Sequence, residues 1–294
     1  MKVDRGLRLG LQARVITSTE KKPSSSGAPA EPSKSSGVER VKRLKRRYTA
    51  EEYDYAMELL KQGKGLNEVS KLTGIPKSTL SYWKRNKHKP PLAKWRPKPC
   101  PELAYVIGVQ LSDGYVYEKE KKWMYQNGLY AKDREYVEHY NYCMAVVLGR
   151  NKENRIRFEE RPDKELKGWR VEYGSVAFYT WFEQQSLEAL KPYIEHCEEC
   201  IKAFLRGFFD GDGGSNVTLV YACNTNRQLL EYIKELLEKI GVRTGKISIA
   251  IKAGTEHWAR NRGIIRAKKD CFQLNVNRKD FLEKVGFTIK RKNK

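Results

Sequence analysis

Two aspartates, Asp113 and Asp212, close two stretches of one design, Leu103-Ala104-Tyr105-Val106-Ile107-Gly108-Val109-Gln110-Leu111-Ser112-Asp113-Gly114 and Phe204-Leu205-Arg206-Gly207-Phe208-Phe209-Asp210-Gly211-Asp212-Gly213. Aligned on their Asp-Gly ends, Ala104, Gly108 and Ser112 fall on Ala203, Gly207 and Gly211, small residues spaced by four. On a helix that spacing makes one stripe, and a stripe of small residues lets two helices meet at backbone level. The copies should therefore pack on each other, each ended by a glycine in the left-handed cap conformation. Asp113 and Asp212 then stand side by side at two helix C-termini, where the helix dipole and the neighbouring charge both oppose a carboxylate. Something positive must sit between them. Hard divalent cations such as Mg²⁺ (or Mn²⁺) bind through one or two carboxylates plus substrate phosphates, and paired metals suit in-line phosphodiester cleavage.

These two stretches resemble the LAGLIDADG homing endonucleases in their single-chain, two-motif form. The resemblance runs from about Pro101 to the C-terminus. The second motif is the closer match, and the first departs at Gln110 and Ser112. It implies an α+β, pseudo-symmetric fold of two αββαββα halves, about 101–190 and 198–294, whose antiparallel sheets form a saddle over a long asymmetric site in double-stranded DNA. It also implies that Asp113 and Asp212, the last acid of each motif, bind the catalytic metal, while Asp210 has a structural role. The family keeps a basic or polar residue at the end of the second strand of each half. Lys132 stands there in the first half, as a third catalytic residue, whereas the second half has Asn224-Thr225-Asn226 and no Lys. None of His88, His139, His196 and His257 sits in a motif, which leaves a metal-activated water as the nucleophile.

The function implied is a monomeric, site-specific endonuclease that hydrolyses one phosphodiester on each strand at two adjacent active sites. A non-catalytic DNA-binding regulator and an RNA-splicing maturase are the alternatives, so RNA stays open as a partner. The chain neither begins with Cys or Ser nor ends in His-Asn, so an intron-encoded or free-standing enzyme is expected rather than an intein.

The elements that must position the acids repeat in order. After the first core helix come a hairpin (115–116 and 125–131, with a polar turn at 118–122), helix 134–148, strands 156–159 and 169–173, and an aromatic helix 176–182. After the second come strands 215–217 and 219–223, helix 228–240, strands 246–251 and 272–276, and helix 279–285. Each half should hold one four-stranded sheet, covered by helices on one face and open on the other. In Lys246-Ile247-Ser248-Ile249-Ala250-Ile251-Lys252 and Arg155-Ile156-Arg157-Phe158-Glu159 the apolar face should point inward. Phe272 to Asn277 turns Gln273, Asn275 and Asn277 outward. Arg155, Arg157, Lys246, Ser248, Lys252, Gln273 and Asn275 are thus candidates for reading base edges. Arg260 and Arg262, in a long basic loop between two strands, are candidates for phosphate.

Composition points the same way. Among 294 residues, 58 Lys or Arg against 36 Asp or Glu give a net charge of +22, which implies a polyanionic partner. No apolar run is long enough to span a bilayer and no signal-peptide core is present, so a cytoplasmic, nucleoid-associated protein is expected. Residues 1–47 read as a disordered basic arm. Residues 48–89 read as three helices, with Thr49 capping the first, Val69 and Leu72 turned inward, and Pro76 opening the third. The third resembles the recognition helix of helix-turn-helix domains. That resemblance implies Lys77, Ser78, Thr79 and Ser81 toward the groove and Lys84 and Arg85 on phosphate, with Leu80 and Trp83 in the core. Residues 90–100 are Pro-rich and read as an extended tether, with a domain boundary near Pro99. The six cysteines form no disulfide framework. Cys197-Glu198-Glu199-Cys200 beside His196 is half of a zinc pattern, but no second pair follows, so reduced thiols leading into a helix are expected.

Overall fold

The computed structural model describes residues 48–87, 89–119, 124–161, 166–259 and 263–294. The basic arm, Arg260 and Arg262 lie outside them. The described chain divides between Lys94 and Trp95 into two compact units.

The smaller unit holds α1 (Ala50–Lys61), α2 (Leu66–Thr73) and α3 (Lys77–Lys84). Thr49 starts α1 with a capping box: its hydroxyl accepts from Glu52 N at 3.1 Å, and Glu52 Oε2 accepts from Thr49 N at 2.9 Å. Gly74, at φ 67°, closes α2 in the left-handed conformation that glycine tolerates best. Ala56, Leu59, Leu60, Val69, Ile75, Leu80 and Trp83 form the core. Leu72 is 55% exposed, contrary to the sequence pattern, because an eight-residue helix turns one narrow face inward and Ile75 from the following turn fills the space. The Pro-rich stretch also departs from an extended tether. Pro91–Ala93 form a 3₁₀ turn with Ala93 buried, since a proline at the first position needs no N–H donor.

The larger unit repeats one topology. The first half runs α4 (Pro101–Gln110), β1 (Tyr115–Lys119), β2 (Met124–Ala131), α5 (Arg134–Val147), β3 (Arg157–Arg161), β4 (Leu166–Gly174), α6 (Val176–Gln184) and α7 (Leu187–Ile194). The second runs α8 (Glu198–Asp212), β5 (Gly213–Ser215), β6 (Leu219–Asn224), α9 (Arg227–Lys239), β7 (Ser248–Ile251), β8 (Glu256–Ala259), β9 (Gly263–Arg266), β10 (Cys271–Asn277) and α10 (Arg278–Lys284). Each half carries an antiparallel four-stranded sheet, ordered β1-β2-β4-β3 and β5-β6-β10-β7. The middle strands turn Leu129, Val171 and Tyr173, and Val220, Ala222, Leu274 and Val276, into one core shared with α4, α5, α8 and α9. From Leu103 to Gln110, α4 is buried all round, which is why its sequence is apolar on every face.

Four further details differ from the sequence reading. α7 had no counterpart in it. The expected basic loop between strands contains a separate hairpin, β8 paired with β9. Ile249 is 53% and Phe158 50% exposed rather than inward. Both lie on edge strands, where one side has no neighbour, and a register shift between Cys271 and Phe272 re-aims β7 against β10. Asn277 is drawn out of the open face because its amide caps α10, accepting from Asp280 N at 3.0 Å.

The tight helix pair yields a first prediction. A Cβ on Gly207 would lie 2.4 Å from the Tyr105 carbonyl oxygen, whereas one on Gly174 meets nothing within 4 Å. Gly207→Ala should destabilise the protein by about 1–3 kcal/mol in urea unfolding while Gly174→Ala stays near neutral. Equal midpoints for the two variants would refute the close approach.

Candidate active site at the paired helix ends

α4 and α8 touch through the three-residue stripe. A Cβ on Gly108 would lie 2.3 Å from Phe204 O, and one on Gly211 would lie 2.3 Å from Ser112 Oγ and 3.1 Å from Asp113 N. Ala104 is buried and Ala203 half-buried in the same interface. The residues that precede the two acids are therefore in contact. Ser112 fits because its hydroxyl turns back onto its own helix, donating to Gly108 O at 3.0 Å.

Neither terminal glycine adopts the left-handed cap. Gly213 sits at φ −93°, ψ 157°, and Gly114 is likewise absent from the positive-φ residues. Each passes directly into a strand, and each is glycine for want of space. A Cβ on Gly213 would lie 2.4 Å from Phe209 O, and one on Gly114 2.8 Å from Gln110 Cα.

The three acids divide by environment. Asp113 is exposed and Asp212 half-buried, so both reach solvent, while Asp210 is buried. Asp210 accepts from the Tyr105 hydroxyl of α4 at 2.8 Å, from Thr288 N at 2.9 Å and from Ile289 N at 3.4 Å. Burial pushes its carboxyl upward, and these donors pull it back. Burial also drives the Tyr136 phenol well above its ordinary value, and the charges of Asp113, Asp210 and Asp212 all act in the same sense.

The ends of the second strands supply different groups. Lys132 follows β2 and is exposed. Asn224 ends β6 and donates from Nδ2 to Asp212 Oδ2 at 2.6 Å. Its amide is fixed in that sense because Oδ1 accepts from Asn226 N at 2.7 Å, and Asn226 itself caps α9 by accepting from Leu229 N at 3.1 Å. The stretch that lacks a lysine is thus a two-step capping relay that aims a neutral donor at the acid.

Sequence reasoning missed a buried cation at the end of α8. Lys292, 9% exposed, donates from Nζ to the carbonyls of Phe209 (3.1 Å), Asp210 (2.7 Å) and Gly213 (2.6 Å). It thereby caps the negative end of α8. Burial lowers its ammonium pKa, while Asp210, Asp113 and Asp133 act in the opposite sense. The tail that carries it is pinned on both sides: Arg291 forks onto Asp133 at 2.6 and 2.7 Å, Lys290 N donates to Glu135 at 3.2 Å, and Ser215 Oγ donates to Lys292 O at 2.6 Å. In sequence these residues read as a charged tail with no period. Gln110 proves buried as well. It donates to the Tyr140 hydroxyl at 2.7 Å, and its Oε1 has no hydrogen-bond partner among the described residues.

The candidate nucleic-acid contacts scatter over both units. Lys77, Ser78, Lys84 and Arg85 are exposed on α3, with Thr79 and Ser81 half-buried. Arg155 precedes β3 and Arg157 lies on it, both exposed. Lys246 and Lys252 flank β7, and Ser248 starts it. Gln273 and Asn275 share the open face of β10 and engage each other at 2.7 Å. The first sheet carries a group not foreseen there. Arg170 donates to the Tyr115 hydroxyl at 2.8 Å, to Glu172, and to both oxygens of Glu159 at 3.3 Å.

Residues 199–286 match the family model of a LAGLIDADG-like domain. An uncharacterized protein of Methanocaldococcus jannaschii, MJ0398, is 32% identical over 265 residues, covering 86% of this chain and 94% of that one. The chain belongs to the family of that archaeal protein. A second protein of this organism, MJ0314, also uncharacterized, is 26% identical over 153 residues, which is 49% of this chain and 56% of the relative. Among solved structures, the chain is similar to the homing endonuclease I-DmoI in complex with DNA and Mn at 20% identity and a TM-score of 0.44, covering 63% of this chain and 96% of that one. Among the described residues, no helix is long and apolar enough to cross a membrane.

The donor set at the helix ends suits a hard cation. Two carboxylates reach solvent from adjoining backbone, and Asn224 holds one oxygen of Asp212. The thiol of Cys223 is pushed up to about 11, by burial first and then by the charges of Cys271 and Asp212.

The second prediction concerns the buried acid. Asp210→Ala removes the acceptor for Tyr105, Thr288 and Ile289 and should cost about 2–3 kcal/mol in chemical denaturation. A smaller destabilisation, about 1–2 kcal/mol, is expected for Lys292→Met, which leaves carbonyls of α8 unpaired but fills the space. If both variants unfold with the native chain, neither the Asp210 nor the Lys292 contacts stabilise the fold.

Proposed function

We propose that this protein is a site-specific endonuclease of double-stranded DNA that uses divalent metal at two adjacent centres. The observation that carries the reading is the pair of solvent-reaching acids, Asp113 and Asp212, set on touching helix ends, each leading straight into the first strand of its own sheet. Asp113 and Asp212 would hold Mg²⁺ or Mn²⁺, and when bound such an ion supplies Lewis-acid polarisation of a phosphoryl oxygen and activation of water.

The chain's own groups divide the remaining work. Asn224 fixes the orientation of Asp212 by donating to its Oδ2. Lys132, exposed just after β2, would meet phosphate charge at the first centre, and the second half offers a neutral amide in its stead. The two centres are therefore unequal, and the strand served by Asp212 is cut more slowly. Gln273 and Asn275 on β10, Ser248, Lys246 and Lys252 about β7, and Arg155 and Arg157 about β3 read or hold the duplex through the open faces of the two sheets. Arg260 and Arg262 belong to the same reading.

In the smaller unit, α3 acts as a helix-turn-helix reader with Lys77, Ser78, Thr79 and Ser81 toward bases and Lys84 and Arg85 on phosphates. Its chemistry fits its composition, since residues 1–100 hold 24 Lys or Arg against 9 Asp or Glu. We read the protein as a monomer acting inside the cell.

The test is cleavage of a randomised duplex library with Mg²⁺. The native chain should release double-strand breaks at a long asymmetric site, and Asp113→Asn and Asp212→Asn should each reduce them by about 100-fold or more or leave nicks. Binding without any cutting by the native chain would instead favour a regulator. A separate expectation concerns salt. Replacing Lys77, Lys84 and Arg85 by Ala should flatten the slope of log K against log salt by about 0.9 for each phosphate no longer neutralised. A slope unchanged by all three would remove α3 from the interface.

A further inference from the structure

The turn between α7 and α8 gathers three donors that the acid pair does not use. Cys197 is the N-cap of α8 and Cys200 its third residue, the spacing at which side chains meet across a first helical turn, and their sulfurs lie 3.3 Å apart. α7 ends at Ile194, and the next residue, Glu195, is held from α9 by Lys239 at 2.7 Å and by the Tyr232 hydroxyl at 3.1 Å. That anchor sets His196 beside the thiols. One ring nitrogen of His196 and both sulfurs lie within 4.8 Å of one another. Cys200 is buried while His196 and Cys197 are exposed, so the cluster is rooted in the fold and opens to solvent. The flanking carboxylates of Glu198 and Glu199 are engaged by Lys202 at 2.8 and 3.0 Å.

Two sulfurs and an imidazole nitrogen are the donor set that selects Zn²⁺ over hard cations, the reverse of the preference at Asp113 and Asp212. A dithiol that only cycled to a disulfide would have no use for a third donor, and it is the histidine within reach of both sulfurs that decides for a cation. We infer that His196, Cys197 and Cys200 form a second metal site, of thiolate and imidazole character, which takes Zn²⁺ with water in the remaining position. Loading releases the proton of each thiol to solvent, and the two thiolates neutralise the dication at a helix N-terminus whose dipole favours negative ligands. The sequence shows only half of a zinc pattern because the third donor is the residue adjoining the first cysteine and the geometry depends on the Glu195 anchor. Zn²⁺ there fastens the α7–α8 turn to the start of the helix that ends at Asp212.

The test uses Co²⁺ alone as a spectroscopic stand-in, titrated into the full chain kept reduced by a phosphine. A thiolate-to-cobalt charge-transfer absorption should grow to saturation at one ion per chain and be displaced by Zn²⁺. Cys197→Ser and Cys200→Ser should each abolish it, and Cys223→Ser should keep it. His196→Ala should weaken binding at least about tenfold, since even outer partners of a metal ligand are worth roughly 10–100-fold. His196 is exposed, so that variant tests the site without endangering the fold, and circular dichroism checks the folding of the cysteine variants. A reduced native chain with no such absorption overturns the assignment, as does an absorption that survives Cys197→Ser. Conversion of the two thiols to a disulfide with no metal uptake overturns it as well. None of these outcomes depends on whether the protein cuts DNA.

Discussion

The structure depends on backbone-level contact between two helices. Gly108 against Phe204 and Phe208, Gly207 against Tyr105, and Gly211 against Ser112 leave no room for a methyl group at any of the three glycines. This closeness sets where everything else can be. It holds the two carboxyl-bearing ends against each other, fixes where the two sheets that follow begin, and creates an electrostatic problem at the shared C-termini that the chain must answer. A helix pair held a side chain further apart would have neither the problem nor the site.

The answer comes mainly from the far end of the chain. Lys292 places an ammonium on three carbonyls at the end of α8, and the preceding residues tie down Asp210, Asp133 and Glu135. The positive charge demanded at the helix ends is thus supplied in part by the protein itself, and Asp210 is taken up by hydrogen bonds from Tyr105 and the tail. Asp113 and Asp212 remain as the acids that reach solvent. Near the ends of their second strands the two halves carry different side chains, an exposed Lys132 just after β2 and, at the end of β6, Asn224 with its amide on Asp212.

What was legible in the sequence is what short-range spacing encodes. The small-residue stripe, the two terminal acids, the strand ends that carry Lys132 and Asn224, the capping box at Thr49 and the doubled order of elements could all be read from residues near one another. What stayed hidden depends on contacts across long separations. Lys292 meets Phe209 from 83 residues away. Arg170 finds Tyr115 across β2. The apolar residues of β3 and β7 alternate as core strands do, but edge position and a register shift leave Phe158 and Ile249 at the surface. The missing left-handed caps have a similar cause. Asp-Gly after a helix ordinarily signals such a cap, but here both glycines answer to crowding by the preceding turn.

The hydrogen bond from Tyr105 to Asp210 has a consequence for the ancestry of the molecule. By the offset that superposes Asp113 on Asp212, the counterpart of Tyr105 is Phe204 and that of Asp210 is Leu111. The bond is therefore made once across the pseudo-dyad and has no mirror image. A homodimer of second halves would face each buried carboxylate with a phenylalanine lacking a hydroxyl, and one of first halves would leave each tyrosine opposite a leucine. The two repeats have diverged into complementary pieces, and neither can any longer stand in for the other.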